Sequence, residues 1–167
     1  KLSNMLGLEY EEAVALINKY NTKVPFVKQL SDRCMRKANE TGVIRTKKGR
    51  KCRFNMWEPK DFGVYTPEKF DNAVAKYGRN NIKRCYTYKA LNRLIQGSAA
   101  DQTKAAIVAC KEKLNEIPIL QIHDELCFNV ADEKQIKEIT AVMENCMELN
   151  VPSVVDVALG KNFGEAT

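Results

Sequence analysis

Three ionisable residues, His123, Asp124 and Glu125, stand side by side in the stretch QIHDELCFNV, residues 121–130. The residues on either side resemble two buried strands with almost no residues between them. This predicts a hairpin with Asp124 and Glu125 in its tight turn. Carboxylates held on rigid strands with exposed oxygens suit a hard cation such as Mg²⁺. The ion would also need a partner carboxylate from elsewhere in the protein and phosphate ligands. An ordinary solvated turn is the alternative, because Asp is a favoured turn former.

A second cluster of charged residues lies in VIRTKKGRKCRF, residues 43–54. Two β-prone runs flank a Lys47-Lys48-Gly49 turn, which predicts another hairpin. Arg and Lys on a protruding ribbon can contact a phosphate backbone without burying their charge. The basic residues of this hairpin, with no acidic residue among them, are Arg45, Lys47, Lys48, Arg50, Lys51 and Arg53.

The charge of the whole chain follows the same division. The formal net charge is +6, but residues 22–89 contain 18 Lys and Arg against 6 Asp and Glu, whereas residues 90–167 contain 7 against 12. An excess of this density is typical of a surface that faces a polyanion. A solvated charged face would explain a milder excess equally well.

The remaining pattern indicates an α+β fold. Helical spacing predicts one helix over 9–20 and another that begins at Pro25 and stops at Gly42. A further helix is expected after Asp132, a good N-cap, and SVVDVALG, residues 153–160, is expected to form a last strand. We therefore predict an antiparallel sheet, including the carboxylate hairpin, packed on helices.

A long helical stretch is predicted from about residue 83. Ser98 and Asp101 fit a capping box that restarts the helix after Gly97, so a break or kink is expected there. A polar stripe at intervals of four residues should line one face of the first part. The members of this stripe are Tyr88, Asn92 and Gln96.

Residues 55–82 mix Pro, Gly and Asn with one short helical pattern around 67–77. We interpret this segment as an excursion from the core rather than a separate domain. Its aromatic residues Trp57 and Phe62 either stack on bases or, as is commoner for aromatic residues in loops, anchor the excursion to the body.

Composition excludes several classes of protein. No apolar run approaches the roughly 20 residues needed to cross a bilayer, and the N-terminal residues lack a signal-peptide pattern. The six cysteines form no CxxC pair, so neither a zinc site nor a disulfide framework is indicated and a reducing compartment is expected. Because the first residue is Lys rather than Met, we expect the chain to be part of a longer one.

Several motifs follow one another in order along the chain. YKALNRLIQGSAAD (88–101) precedes QIHDEL (121–126) by some 20 residues, LSNMLGLEYEEA (2–13) and GVIRTKKGRKCRF (42–54) come earlier, and VALGKNFGEA (157–166) comes last. Together they resemble the family A DNA polymerases, the bacterial DNA polymerase I type, and especially their phage-like members. The resemblance implies that residues 1–82 belong to the fingers, with the basic hairpin and the inserted excursion, and that residues 83–167 form the C-terminal part of the palm.

The resemblance also implies roles for individual residues. Asp124 matches the metal-binding aspartate of the palm, Glu125 the adjacent acidic ligand, and His123 a neighbour of the primer terminus, so all three are candidate catalytic residues. Asn92 and Gln96 match a pair that faces the minor groove, where amide donors can test base-pair geometry without reading sequence. Two departures are Tyr88, which replaces an Arg that contacts DNA in many members, and Phe163, which replaces a terminal Trp.

The implied activity is template-directed nucleotidyl transfer by a DNA-directed DNA polymerase. It uses two Mg²⁺ ions, and one or both of them are also bound by an aspartate that is absent from this chain. The implied partners are primer-template DNA, a dNTP and the N-terminal remainder of the polymerase, on the same or a separate chain, with no membrane. The isolated chain is expected to be inactive. The expected location is the cytoplasm or another reducing compartment of a bacterial or phage-infected cell, or an organelle.

Two other functions remain compatible with the residues alone. A non-catalytic nucleic-acid-binding module would use only the basic face and would tolerate the loss of Asp124. A metal-dependent nuclease would use the same carboxylates and would degrade DNA without dNTPs.

Overall fold

The computed structural model describes residues 2–61 and 63–166, and its elements form an α+β fold with small antiparallel sheets. The helices are α1 (Leu2–Leu6), α2 (Tyr10–Lys23), α3 (Pro25–Thr41), α4 (Phe70–Tyr77), α5 (Ala90–Leu114) and α6 (Glu133–Glu144). The strands are β1 (Val43–Arg45), β2 (Lys51–Arg53), β3 (Met56–Pro59), β4 (Glu68–Lys69), β5 (Ile82–Arg84), β6 (Leu120–Ile122) and β7 (Glu125–Cys127). The chain divides into two compact units, residues 1–95 and 96–167.

The two helices predicted near the N-terminus are confirmed. Glu9 and Glu12 form a reciprocal capping box that begins α2, with the Glu9 backbone N–H donating to Glu12 Oε2 at 3.1 Å. Pro25 occupies the first turn of α3, where its missing N–H has no intrahelical partner to lose. Gly42 ends α3 in the left-handed conformation and donates its N–H to the Ala38 carbonyl at 2.9 Å.

The core of the first unit forms where α3 meets the hairpin β1–β2 and the start of α5. Strand alternation directs Ile44 inward, and it packs with Cys34, Ala38, Phe54 and Ala90. The side chains at these positions are mostly small. Many larger apolar side chains of α2 are exposed, and only Ala13 of that helix is buried.

The excursion folds into a three-stranded antiparallel sheet of order β4-β3-β5, beside α4. Trp57 of β3 makes an edge-to-face contact with Phe70, with ring centroids 5.0 Å apart, and the Arg84 guanidinium lies 4.5 Å from its ring centroid. The prediction that Trp57 anchors the excursion is confirmed by these contacts. Phe62 lies outside the described residues.

The long helix α5 differs from the prediction in two respects, the residue at which it begins and its continuity at Gly97. Residues 83–89 do not begin it, because they contain part of β5 and a 3-10 turn over Thr87–Lys89, so Tyr88 precedes α5. The expected break at Gly97 is also wrong, since α5 is continuous. A single glycine costs a helix about 1 kcal/mol, which is less than the cost of nucleating a new helix.

The second unit buries small and medium apolar side chains, most of them in α5 and α6. Its buried apolar residues are Ala106, Cys110, Ile139 and Met147. The predicted start of α6 is confirmed, because the Asp132 carboxylate accepts a hydrogen bond from the Gln135 backbone N–H at 2.8 Å.

The prediction of a last strand over 153–160 is wrong for the described structure. These residues have no regular secondary structure, and Val154 is 77% exposed. A strand needs a neighbour that completes its backbone hydrogen bonds, and no strand in the described part of the chain pairs with this segment.

Candidate active site and nucleic-acid interface

The carboxylate hairpin forms, with a turn one residue earlier than predicted. β6 and β7 pair antiparallel with Ile122 opposite Glu125, so the turn consists of His123 and Asp124 and Glu125 is the first residue of β7. A two-residue loop must reverse the chain sharply, and His123 does so with a positive φ of 51°. The Gln121 side-chain amide donates to the His123 carbonyl at 3.1 Å and supports the turn.

The predicted burial of the strands of this hairpin is wrong for the described structure, whereas the exposure expected of its carboxylates is found. His123, Asp124 and Glu125 are exposed, and so is the apolar Leu120 of β6, at 46%. The side chains with oxygen or nitrogen donors therefore project into solvent from a two-stranded ribbon. Its other apolar residues, Ile122, Leu126 and Cys127, are only half-buried.

Asp124 and Glu125 are the residues of this hairpin that could hold a metal. Two adjacent, exposed carboxylates are oxygen donors of the kind that Mg²⁺ binds, and Mg²⁺ often uses only one or two of them beside phosphates and water. Over residues 2–61 and 63–166 the structure contains no group of three or more His, Cys, Asp or Glu arranged to hold a metal ion. The pair fits Mg²⁺ as part of a donor set.

The basic hairpin is confirmed, and strand alternation explains its exposed charge. Ile44 and Cys52 are opposite each other on the core side, while Arg45 pairs with Lys51 on the other side. All six predicted basic residues, Arg45, Lys47, Lys48, Arg50, Lys51 and Arg53, are exposed.

The tip of the basic hairpin is held by hydrogen bonds between its side chains and its own backbone. The buried Thr46 hydroxyl accepts from the Arg50 backbone N–H at 3.1 Å, and the Arg45 guanidinium donates to the Gly49 carbonyl at 2.9 Å. Gly49 has a φ of 84°, which a residue with a Cβ adopts only at a cost. The arrangement gives closely spaced cations on a defined ribbon.

Arg93 attaches this hairpin to the start of α5. Its guanidinium donates to the Arg53 carbonyl at 3.0 Å and lies 4.7 Å from the centroid of the buried Phe54 ring. Asn92 and Gln96, on the same helix and four residues apart, are exposed. Tyr88 is 67% exposed in the 3-10 turn.

Arg84 is a structural residue that the sequence interpretation missed. Its guanidinium donates to the Asn39 carbonyl at 3.1 Å and the Phe54 carbonyl at 3.0 Å, and it stacks on Trp57. It also approaches Gly42 so closely that a Cβ there would lie 2.6 Å from Nη1. These partners are far apart in sequence, so no local pattern could have revealed them.

Cys85 is a second missed residue. Its thiol is buried and contacts the Glu58 carboxylate at 3.1 Å, and burial, followed by the hydrogen bond to Glu58, raises the pKa of Cys85 to about 11. None of the six cysteines forms a disulfide within the described residues.

No helix among the described residues is long and apolar enough to cross a membrane.

The class of protein to which this chain belongs follows from comparison with known families. The sequence pattern of DNA polymerase family A matches residues 1–165. This chain therefore belongs to DNA polymerase family A.

Individual relatives agree with this assignment. The chain is 42% identical over 155 residues to a DNA-directed DNA polymerase of Pseudomonas phage M6, covering 93% of this chain and 20% of that protein. It is 32% identical over 173 residues to DNA polymerase I of Pseudomonas aeruginosa, covering 99% of this chain and 17% of that protein. The chain thus spans about a fifth of the length of these relatives.

A solved structure shares the fold. The polymerase domain of Pol1 from M. smegmatis, in complex with DNA primer-template and dNTP, superimposes with a TM-score of 0.66 over 90% of this chain and 25% of that chain. Its sequence identity to this chain is 24%.

Proposed function

We propose that the whole protein is a DNA-directed DNA polymerase and that this chain supplies the C-terminal part of its palm and part of its fingers. The primer 3′-hydroxyl would lose its proton to solvent, its oxygen would bond to the α-phosphorus of a dNTP, the bond from that phosphorus to the oxygen of the β-phosphate would break, and pyrophosphate would leave. The observation that carries the proposal is the exposed carboxylate pair, Asp124 and Glu125, at the end of a hairpin in a chain of this family.

In this proposal Asp124 and Glu125 hold Mg²⁺ together with an aspartate from the rest of the protein, and two ions are used. Mg²⁺ bound there would stabilise negative charge on the phosphoryl oxygens. His123 lies next to Asp124 in the turn, where it would contact the primer terminus.

The DNA contacts are assigned to two surfaces. The exposed cations of the basic hairpin would bind phosphates and set affinity, because phosphate contacts dominate non-specific binding. Asn92 and Gln96 would donate to the minor-groove acceptors that every Watson–Crick pair presents. Tyr88 would contact DNA from the turn before α5. The boundary between fingers and palm is proposed near residue 82.

The proposed partners are primer-template DNA, a dNTP and the N-terminal remainder of the polymerase. The 167-residue chain alone should be inactive, because the proposed second aspartate is not part of it. A reducing compartment is proposed for the protein, and the lack of disulfides within the described residues supports this.

The test is primer extension by the purified full-length protein with a primer-template, four dNTPs and Mg²⁺. Extension that stops at the template end and depends on the complementary dNTP is expected. DNA degradation in the absence of dNTPs would identify a nuclease instead. Salt-dependent DNA binding without either reaction would identify a binding module.

A further inference from the structure

Arg93 joins the first turns of α5 to the basic hairpin, and it is the neighbour of Asn92 in the sequence. Its guanidinium donates to the Arg53 carbonyl at 3.0 Å and lies 4.7 Å from the centroid of the Phe54 ring. The Arg93 carbonyl accepts a weak hydrogen bond from the Cys52 thiol at 4.0 Å. The side chain and the backbone of Arg93 therefore both contact the same short segment of the hairpin.

Phe54 is a fixed point for this contact. It is 2% exposed, its N–H donates to the Gly42 carbonyl at 2.8 Å, and its carbonyl accepts from the Arg84 guanidinium at 3.0 Å. Its ring also packs in the core cluster with Ile44. A planar guanidinium stacked on a ring that is held in this way is itself held in one orientation.

Arg93 supplies a directional contact that the apolar residues of α5 do not. Ala90, Leu91 and Leu94 pack α5 against the core of the first unit, but apolar contacts are non-directional and allow small rotations about the helix axis. A hydrogen bond and a stacked plane depend on direction. Arg93 therefore fixes the rotation of the first turns of α5 relative to β2.

Asn92 is the residue whose direction this rotation sets. It is exposed and lies about 100° from Arg93 around the helix. A rotation of about 10° would move an atom about 6 Å from the helix axis by roughly 1 Å. A displacement of that size is enough to spoil a contact that depends on geometry.

We infer that Arg93 is a positioning residue that orients Asn92 toward the minor groove of the primer-template, through its contacts with Arg53 and Phe54. This inference rests on the proposed function, since it assigns a role to Arg93 in testing base pairs. The competing role for a half-buried arginine beside a basic hairpin is a phosphate contact of its own. Positioning requires the planar shape of the guanidinium, whereas a phosphate contact requires its charge.

The experiment compares Arg93→Met, Arg93→Lys and the parent full-length protein in primer extension from matched and mispaired ends, with DNA affinity measured over a range of salt concentrations. Arg93→Met should lower discrimination between the two ends about fivefold without changing the slope of log K against log[salt]. Arg93→Lys should show the same loss, because an ammonium group cannot stack as a plane. Arg79→Met, which removes an exposed arginine from the turn before β5, is the matched control and should behave as the parent protein.

A double-mutant cycle tests whether Arg93 acts through Asn92. In the Asn92→Ala background, the further change Arg93→Met should lower discrimination by less than about twofold, because the side chain that Arg93 orients is no longer present. Urea unfolding checks that each variant folds. Arg93→Lys, the milder change, takes the place of Arg93→Met in the cycle if Arg93→Met does not fold.

Two results would overturn the inference in favour of a phosphate contact. One is parent-like discrimination in Arg93→Lys, and the other is a salt slope reduced by about 0.9 in Arg93→Met. Additive losses in the double-mutant cycle would also overturn it, because they would mean that Arg93 does not act through Asn92.

The two proposals fail separately in these experiments. Extension by the parent protein together with unchanged discrimination in Arg93→Met would reject the positioning role alone. If the parent protein does not extend primers, the ratio of its affinities for paired and mispaired primer ends gives the same comparison. An Arg93-dependent preference for the paired end would then reject polymerase activity and retain the positioning role, and no preference in the parent protein would reject both.

Discussion

At the scale of residues, the exposed polar groups divide into those that would set rate and those that would set affinity. Asp124 and Glu125 project from a hairpin as oxygen donors, whereas the cations of β1 and β2 form a separate ribbon. Asn92 and Gln96 are neutral donors, suited to contacts that depend on geometry rather than charge. Substitutions of these classes should therefore affect different measurements.

Gln96→Ala in the full-length protein is expected to reduce mismatch discrimination more than DNA affinity. One neutral hydrogen bond contributes about 1 kcal/mol to binding, or roughly fivefold, while its loss removes a test of pair geometry. Primer extension from matched and mispaired ends measures discrimination, with Gln29→Ala of α3 as an exposed control. An equal reduction for both kinds of end would assign Gln96 to an ordinary polar surface.

Cys85 should make stability depend on alkaline pH. Its folded-state pKa is raised from 9.0 to about 11, so its contribution to stability is fully present below pH 9 and is lost as the pH rises toward 11. Urea unfolding of the parent protein and Cys85→Ala at several pH values isolates this effect from lysine titration. The free energy of unfolding should fall more steeply between pH 9 and 11 in the parent, and parallel curves would refute the prediction.

At the scale of elements, the sequence predicted the helix ends and turns that depend on contacts between residues close together in the chain. Pro25, Gly42, the Asp132 cap and the turn of the basic hairpin each depend on interactions within a few residues, and all of them formed as expected. The failures concern non-local or cooperative terms. Helix propagation overrode the Gly97 signal, and the segment 153–160 has the composition of a strand without a described partner.

Gly42→Ala should destabilise the protein through two effects. A Cβ at a φ of 70° costs roughly 1–2 kcal/mol, and here it would also displace Arg84 from the Asn39 and Phe54 carbonyls. Gly49→Ala is the matched control, because its φ is 84° and a Cβ there meets nothing within 4 Å. Chemical denaturation should show a larger loss for Gly42→Ala by about 1 kcal/mol or more, and equal losses would contradict the role of Arg84.

The basic hairpin should control the salt dependence of DNA binding. Replacing Lys48 and Lys51 together by Gln should reduce the slope of log K against log[salt] by about 1.8 if both contact phosphates. The control double variant, Lys104→Gln with Lys137→Gln, removes the same charge from the acidic half of the chain and should leave the slope nearly unchanged. Identical slopes for the two variants would mean that net charge alone determines binding.

At the scale of the whole molecule, the chain covers about a fifth of its relatives, and its two units each carry part of the proposed chemistry. The sequence predicted the family, the hairpins and the exposed position of most site residues. It could not predict the pairing of β3 with β5, because these strands join residues 23 to 27 positions apart. The register of the carboxylate turn also escaped it, since a shift of one residue changes little in local propensity.

The central claim is that Asp124 contributes to reaction rate and not to DNA affinity. The decisive measurement is single-turnover dNTP incorporation with Mg²⁺ by the full-length protein and its Asp124→Ala variant, beside a binding titration on the same primer-template. Asp156→Ala, which removes an exposed carboxylate from the same unit, is the matched control. We expect Asp124→Ala to reduce incorporation by about a hundredfold or more with DNA affinity unchanged, and Glu125→Ala to have a smaller effect. Near-normal incorporation by Asp124→Ala would contradict the account.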